Sequence, residues 1–216
     1  LQTWGLQFTT ATKSSFITIL YIVLVPVFES VFSRAKIPLA LWFWIFVSLV
    51  GVYLIVQPSF DSGWNKGDLI TLVSAVFAAL QIIAVDRVSP RIQSAFTFNS
   101  MQSLWGCLFV GLLLPFQETS IIPVESPSML AWTGLLMLAL GSTLIAFSLQ
   151  IKAQKVLSPT VSSLFFLLES PFALLFAFFL LGEWLNWTQI GGAVLIMFSA
   201  FFATVRESKK PVTTHR

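Results

Sequence analysis

The sequence predicts an all-α integral membrane protein, a polytopic helix bundle. Three observations carry that expectation. Hydrophobic residues fill 56% of the 216 positions and charged residues only 10%, against about 25% charged in soluble domains. Mean hydropathy is +0.88. Apolar runs of about 20 residues recur along the chain between short polar corners, and at roughly 1.5 Å per residue each crosses a hydrocarbon core of roughly 30 Å.

Leu1 to Thr10 is too short to span and opens without a methionine, a basic leader or a cleavage pattern, so it reads as the stump of an interrupted helix. Ser15 to Phe32 is the first full span, with Pro26 inside it. The corner Arg34-Ala35-Lys36-Ile37-Pro38 follows, and Pro38 is placed to begin the second span, Leu39 to Val56. Gln57 to Gly67 is a loop by its Pro, Gly, Ser, Asp and Asn content. Asp68 to Val85 is the third span and Ala95 to Leu114 the fourth, ending at Pro115. Phe116 to Ser126 is the longest connection, after which Ser128 caps a fifth span from Met129 to about Gln150. Thr160 to Leu181 and Thr188 to Thr204 are the sixth and seventh, and Arg206 to Arg216 is a polar tail.

Charge tests this segmentation, because cytoplasmic loops accumulate Lys and Arg. With the tail inside, the inner corners hold Arg34, Lys36, Arg87, Arg91, Lys152, Lys155, Arg206, Lys209, Lys210 and Arg216, leaving only Lys13 and Lys66 outside. Asp61, Asp68, Glu118, Glu125 and Glu183 collect on the other side. The expected location is the plasma (inner) membrane with a cytoplasmic C-terminus. A net charge of +3 does not indicate nucleic acid, because the basic residues form no stripe that could follow a phosphate backbone. The single cysteine, Cys107, allows no internal disulfide and is expected as a small core residue.

Ser14-Ser15 followed by an apolar run through Pro26 is echoed by Ser162-Ser163 and a run through Pro171, and the two copies enter the membrane from opposite sides. Such copies mark the inverted repeats of transporters. The stretch LLESPFALLFAFFLLGEWLNWTQIGGAVLIMFSA, from Leu167 to Ala200, resembles the final helix pair of EamA-type permeases of the drug/metabolite transporter superfamily, and TTATKSSFITILYIVLVP resembles the matching segment of their first repeat. The resemblance implies a ten-helix, five-plus-five secondary transporter of which this chain carries seven full helices and the stump. Residues 1–56 are then the last part of the first repeat, 68–204 a complete second repeat of five helices, and 205–216 a cytoplasmic tail. Glu169 and Glu183 fall on the family's two glutamates, while Ser170 stands where proline is usual and Pro171 follows one place later.

Glu169 is the leading site residue. An acidic side chain inside a span costs on the order of 2.5–3.5 kcal/mol on insertion scales and is retained chiefly for function. It suits a substrate amine or a coupling proton, against a buried structural carboxyl. Asn99, Gln102 and Trp105 share a face of the fourth span and Gln81 lies on the third; they suit a metabolite pocket, against interhelical hydrogen-bond glue of about 1 kcal/mol per contact. Pro26 and Pro171 are candidate kinks. Gly51, Gly191, Gly192 and Ser199 are candidate positions of close helix approach. Glu29 is expected to pair with Arg34 or Lys36, and Trp42, Trp44, Trp132, Trp184 and Trp187 to form interfacial belts.

The function expected is a permease, in the exporting direction, for small organic metabolites such as amino-acid-like compounds. A non-transporting membrane subunit or scaffold is the alternative. No HExxH, nucleophile elbow, acidic metal pair or phosphate loop is present and the one histidine is His215, so neither enzyme activity, metal nor cofactor is expected. Expected partners are the lipid bilayer, a small-molecule substrate, protons as candidate coupling ions and a second copy of the chain as a candidate oligomer.

Overall fold

The computed structural model describes residues 1–34, 36–58, 63–113 and 128–208. Asp61, the connection bearing Glu118 and Glu125, and the tail's Lys209, Lys210 and Arg216 lie outside them. The described residues are helical with short corners: α1 (Gln2–Gly5), α2 (Ala11–Ile19), α3 (Tyr21–Ser33), α4 (Leu39–Val56), α5 (Lys66–Val88), α6 (Ala95–Leu113), α7 (Met129–Met137), a π-helical stretch (Leu138–Ala146), α8 (Phe147–Ala153), α9 (Pro159–Phe166), α10 (Glu169–Phe176), a second π-helical stretch (Ala177–Leu181) and α11 (Trp187–Ser208). Among the described residues, six segments are long and apolar enough to cross a membrane. The fourth expected span, α6, is a 19-residue helix that does not join them. Its first half carries Thr97, Asn99, Ser100, Gln102 and Ser103, which lower its apolarity.

The chain divides into two compact units, Leu1–Ala84 with Leu157–Arg216, and Val85–Val156. In the first, α4 lies along α11 over most of their lengths. The approach is backbone to backbone: a Cβ on Gly51 would stand 2.7 Å from the Gly192 carbonyl and 2.8 Å from Ile196 Cγ1, and one on Gly192 would meet the Gly51 carbonyl. Small residues thus set the helix separation, as is usual where lipid supplies no hydrophobic drive. Gly191 faces open space, and Ser199 is buried with its hydroxyl returned to the Leu195 carbonyl at 2.8 Å. Trp44 stacks on Phe202 at 5.0 Å, and Gln57 at the end of α4 donates to Thr188 Oγ1 at 2.8 Å. The core of this unit is Ile22, Ile45, Val52, Val161, Leu164, Leu167 and Ile196, with a second cluster at Val25, Ala79, Ile82 and Ile83.

Glu29, expected to pair with Arg34 or Lys36, reaches α9. Its carboxylate accepts the backbone N–H of Thr160 at 3.1 Å and the Thr160 hydroxyl, so a side chain of α3 satisfies the first turn of α9, where the N–H groups have no helical partner. Trp184, in the corner before α11, and Trp187, the first residue of α11, are exposed.

In the second unit, Val85, Ile92, Ala95 and Ile151 form a small core, and Lys155 donates to the Ile92 carbonyl at 2.7 Å. Cys107 is exposed on α6 and not in a core.

Candidate functional site

Two helices of the first unit are interrupted in mid-span. Thr10 caps α2 through a hydrogen bond from the Lys13 N–H, and Ser158 caps α9 through one from the Val161 N–H. The runs then break at Leu20 and at Leu167–Leu168, each with ψ collapsed to between −11° and −19°. Both breaks are tight turns: Val23 N–H reaches the Leu20 carbonyl and Ser170 N–H the Leu167 carbonyl, each at 3.0 Å. From cap to cap and from Leu20 to Leu168 the offset is the same 148 residues, which is also the offset of the Ser14 and Ser162 echo.

At the second break the cause is local. Pro171 has no N–H and its ring crowds the carbonyl four residues earlier, that of Leu167, which Ser170 therefore takes. At the first break Pro26 is remote, lying buried inside a continuous α3. There Ser15 and Thr18 return their hydroxyls to the Ala11 and Ser14 carbonyls at 2.8 and 2.9 Å, bonds that bend helices.

Glu169 opens α10 directly after its break. It is exposed, although its neighbour Leu167 is in the core, and among the described residues its carboxylate makes no hydrogen bond or ion pair. Tyr21 opens α3 in the same way, half-buried between the two core clusters, and the Glu169 carboxylate is close enough to act electrostatically on its phenol. Gln81 is half-buried on α5 next to Ile82 and Ile83, which share a cluster with Tyr21 and Phe166. A groove of about 850 Å³ in this unit is lined by Phe165, Leu168, Pro171, Phe172, Met197 and Phe201 among others and includes neither Glu169 nor Tyr21. Its lining is almost wholly apolar, so it suits acyl chains and has little with which to orient a metabolite.

Sequence reasoning missed a buried charged cluster at the other end of α2. Lys13 and Asp68, both nearly inaccessible, pair at 2.6 Å. Asp68 also accepts from Thr9 Oγ1 at 2.6 Å and from the Asn65 N–H at 2.9 Å, while Asn65 Oδ1 takes the Asp68 N–H at 3.0 Å, a reciprocal cap on α5. Lys13 donates to the Gly63 carbonyl and lies 5.9 Å from the centre of the Trp64 ring. Glycines permit the approach: a Cβ on Gly67 would stand 2.8 Å from the Thr9 nitrogen and one on Gly5 2.7 Å from Thr71 Oγ1. The available signal was Lys13 itself, one of two basic residues on the acidic side of the charge pattern.

Asn99, Gln102 and Trp105 belong to the second unit. Asn99 is 2% exposed, and its amide nitrogen donates to the Thr143 carbonyl at 2.7 Å, the Leu144 carbonyl at 3.2 Å and Ser148 Oγ at 3.3 Å. Those carbonyls lie in the π-helical stretch, whose wider turn leaves them turned to outside donors. Gln102 is half-buried and Trp105 is exposed, with its ring 6.5 Å from that of Phe109. Asn99→Ala is therefore expected to lose about 1–3 kcal/mol, the cost of buried groups left unpaired, read as lower yield and melting temperature, with substrate affinity of the surviving protein unchanged.

Against known proteins, a family model described as the EamA-like transporter family matches residues 65–205. An "Uncharacterized transporter" of Archaeoglobus fulgidus is 30% identical over 95% of this chain, and "Uncharacterized transporter YetK" of Bacillus subtilis is 26% identical over 96%. The chain spans 64% of the length of each. A solved crystal structure is similar with a TM-score of 0.77 at 15% identity, covering 97% of this chain and 73% of that one, a likeness of fold. With a family model over more than half its residues, and six helices long and apolar enough to cross a membrane among the described residues, the chain belongs to the EamA-like transporter family.

Proposed function

We propose that the complete protein is a secondary transporter of small organic metabolites, amino-acid-like compounds among them, working in the exporting direction by alternating access between two inverted repeats. The observation that carries this reading is Glu169: a carboxylate inside a membrane-crossing segment, at a helix break, without a protein partner among the described residues. Intramembrane ionisable groups are costly and mark substrate or ion pathways. Two helices with the same cap-and-break layout at one offset support the repeat reading, since paired broken helices at corresponding positions locate binding sites in transporters of this kind. The transporter names of the two relatives point the same way. Protons are the coupling ion this carboxylate would serve. The distribution of Lys and Arg supports a cytoplasmic C-terminus, which a cysteine placed at Ser208 reports by staying shielded from an impermeant thiol reagent in intact cells.

The test is reconstitution of the complete protein in proteoliposomes preloaded with a mixed metabolite extract. Release of a defined subset of solutes, faster than from protein-free vesicles, supports transport. Identical release from both would leave a membrane subunit or scaffold as the function.

A further inference from the structure

We propose that Tyr21 and Glu169 form one ligand subsite that takes the ammonium group of an amine-bearing organic solute, the carboxylate pairing with the charge and the phenol oxygen accepting a second hydrogen bond. The inference rests on the transporter reading and names the ligand class of the same site. Its first support is position. Each residue is the first of the second half of a broken helix, α3 and α10, and the two breaks lie at the offset shared by the helix caps. A short, tightened turn inside a long helix is a recurrent hinge or functional element.

The second support is proximity with vacancy of partners. Tyr21 packs against both core clusters, the first shared with Leu168 and the second with Phe166, α3 lies against α9, and the Glu169 carboxylate acts on the phenol electrostatically. Neither side chain makes a hydrogen bond within the described residues. Both therefore keep oxygens free to accept from a polar solute.

The third support is the sign of the site. The carboxylate and phenol present three oxygens that accept and one hydroxyl that donates. In this unit Lys13 is committed to Asp68, whereas Arg34, Lys36, Lys66 and Arg206 stand at helix ends or corners. An anionic head would therefore meet a carboxylate with no mid-span basic group among the described residues of this unit to offset it. A hard metal ion seeks about six to eight oxygen ligands for calcium or a near-octahedral set for magnesium, which one carboxylate and one phenol do not supply. A primary ammonium brings three donors on one charge and matches what is present.

The experiment measures binding to the purified complete protein by ligand-induced change in melting temperature, with two trios of shared skeleton: phenethylamine, 2-phenylethanol and 3-phenylpropionate, and cadaverine, 1,5-pentanediol and glutarate. Sodium chloride serves as the inorganic-cation arm. In at least one trio the amine should bind about tenfold more tightly than its alcohol and its acid, the scale of one hydrogen bond to a charged group. Glu169→Gln should erase that preference, and Tyr21→Phe should weaken the amine about tenfold while leaving alcohol and acid unchanged. An alcohol, an acid or sodium bound as tightly as the amine, a preference that survives Glu169→Gln, an unchanged Tyr21→Phe, or no binding by any probe would each overturn the inference. Flux separates it from the reading beneath: a protein that moves only solutes without an amine is still a transporter and refutes the ammonium subsite, whereas one that moves nothing refutes both.

Discussion

Replacing Lys13 by Met is expected to destabilise the folded protein by about 3–5 kcal/mol, the usual cost of leaving one member of a buried ion pair without its partner. Asp68 is fully buried and its carboxylate would keep only Thr9 and the Asn65 N–H, two neutral donors, in place of an ammonium at 2.6 Å. The cluster joins the segment before α2 to the first turn of α5, so its loss should free both from each other. Lys13→Met with Asp68→Asn removes both charges while keeping the oxygen that caps α5, and should recover most of the loss. Thermal unfolding in detergent of the two single variants and the double variant closes the cycle. Additive losses would mean that the pair contributes nothing beyond its two separate packing roles.

Glu169→Gln should have the opposite profile. The side chain is exposed and unpartnered among the described residues, so a change that keeps its size and hydrogen-bonding capacity but removes its charge should leave the unfolding free energy within about 0.5 kcal/mol of wild type, as for surface substitutions generally. Transport should nevertheless fall by at least about tenfold, because a charge-assisted contact to a substrate amine or proton is worth roughly 1.5–3 kcal/mol and an amide cannot replace it. A stability loss with retained flux would assign Glu169 to packing. Glu183 is the control: it too is exposed, but it stands at the corner after the Gly182 turn, outside the mid-span break, and Glu183→Gln should change neither quantity.

Spans were legible in the sequence because hydrocarbon imposes a length and an apolarity that a one-dimensional reading can measure, and the corners between them because turn residues and charges gather there. α6 shows where that measure strains: its polar first half reads as a span by spacing and as marginal by apolarity. The Ser14 and Ser162 echo pointed to two equivalent helices, yet the break at Leu20 has no proline to announce it and depends on hydroxyls folding back onto their own helix. The pairing of Lys13 with Asp68 joins positions 55 apart in the chain, and only the glycine crossing at Gly5 and Gly67 makes it sterically available. Asn99 shows the limit from the other side. Its residue type allowed pocket or glue, and the π-helical carbonyls that take its amide are invisible to helical spacing.

The most direct measurement is the initial rate of solute release from proteoliposomes holding equal amounts of folded wild-type and Glu169→Gln protein, with folded amount fixed by melting temperature and monodispersity. The Glu169 carboxylate at the α10 break predicts wild-type release well above protein-free vesicles and a variant reduced by at least about tenfold at unchanged stability. Equal rates from the two proteins would contradict it.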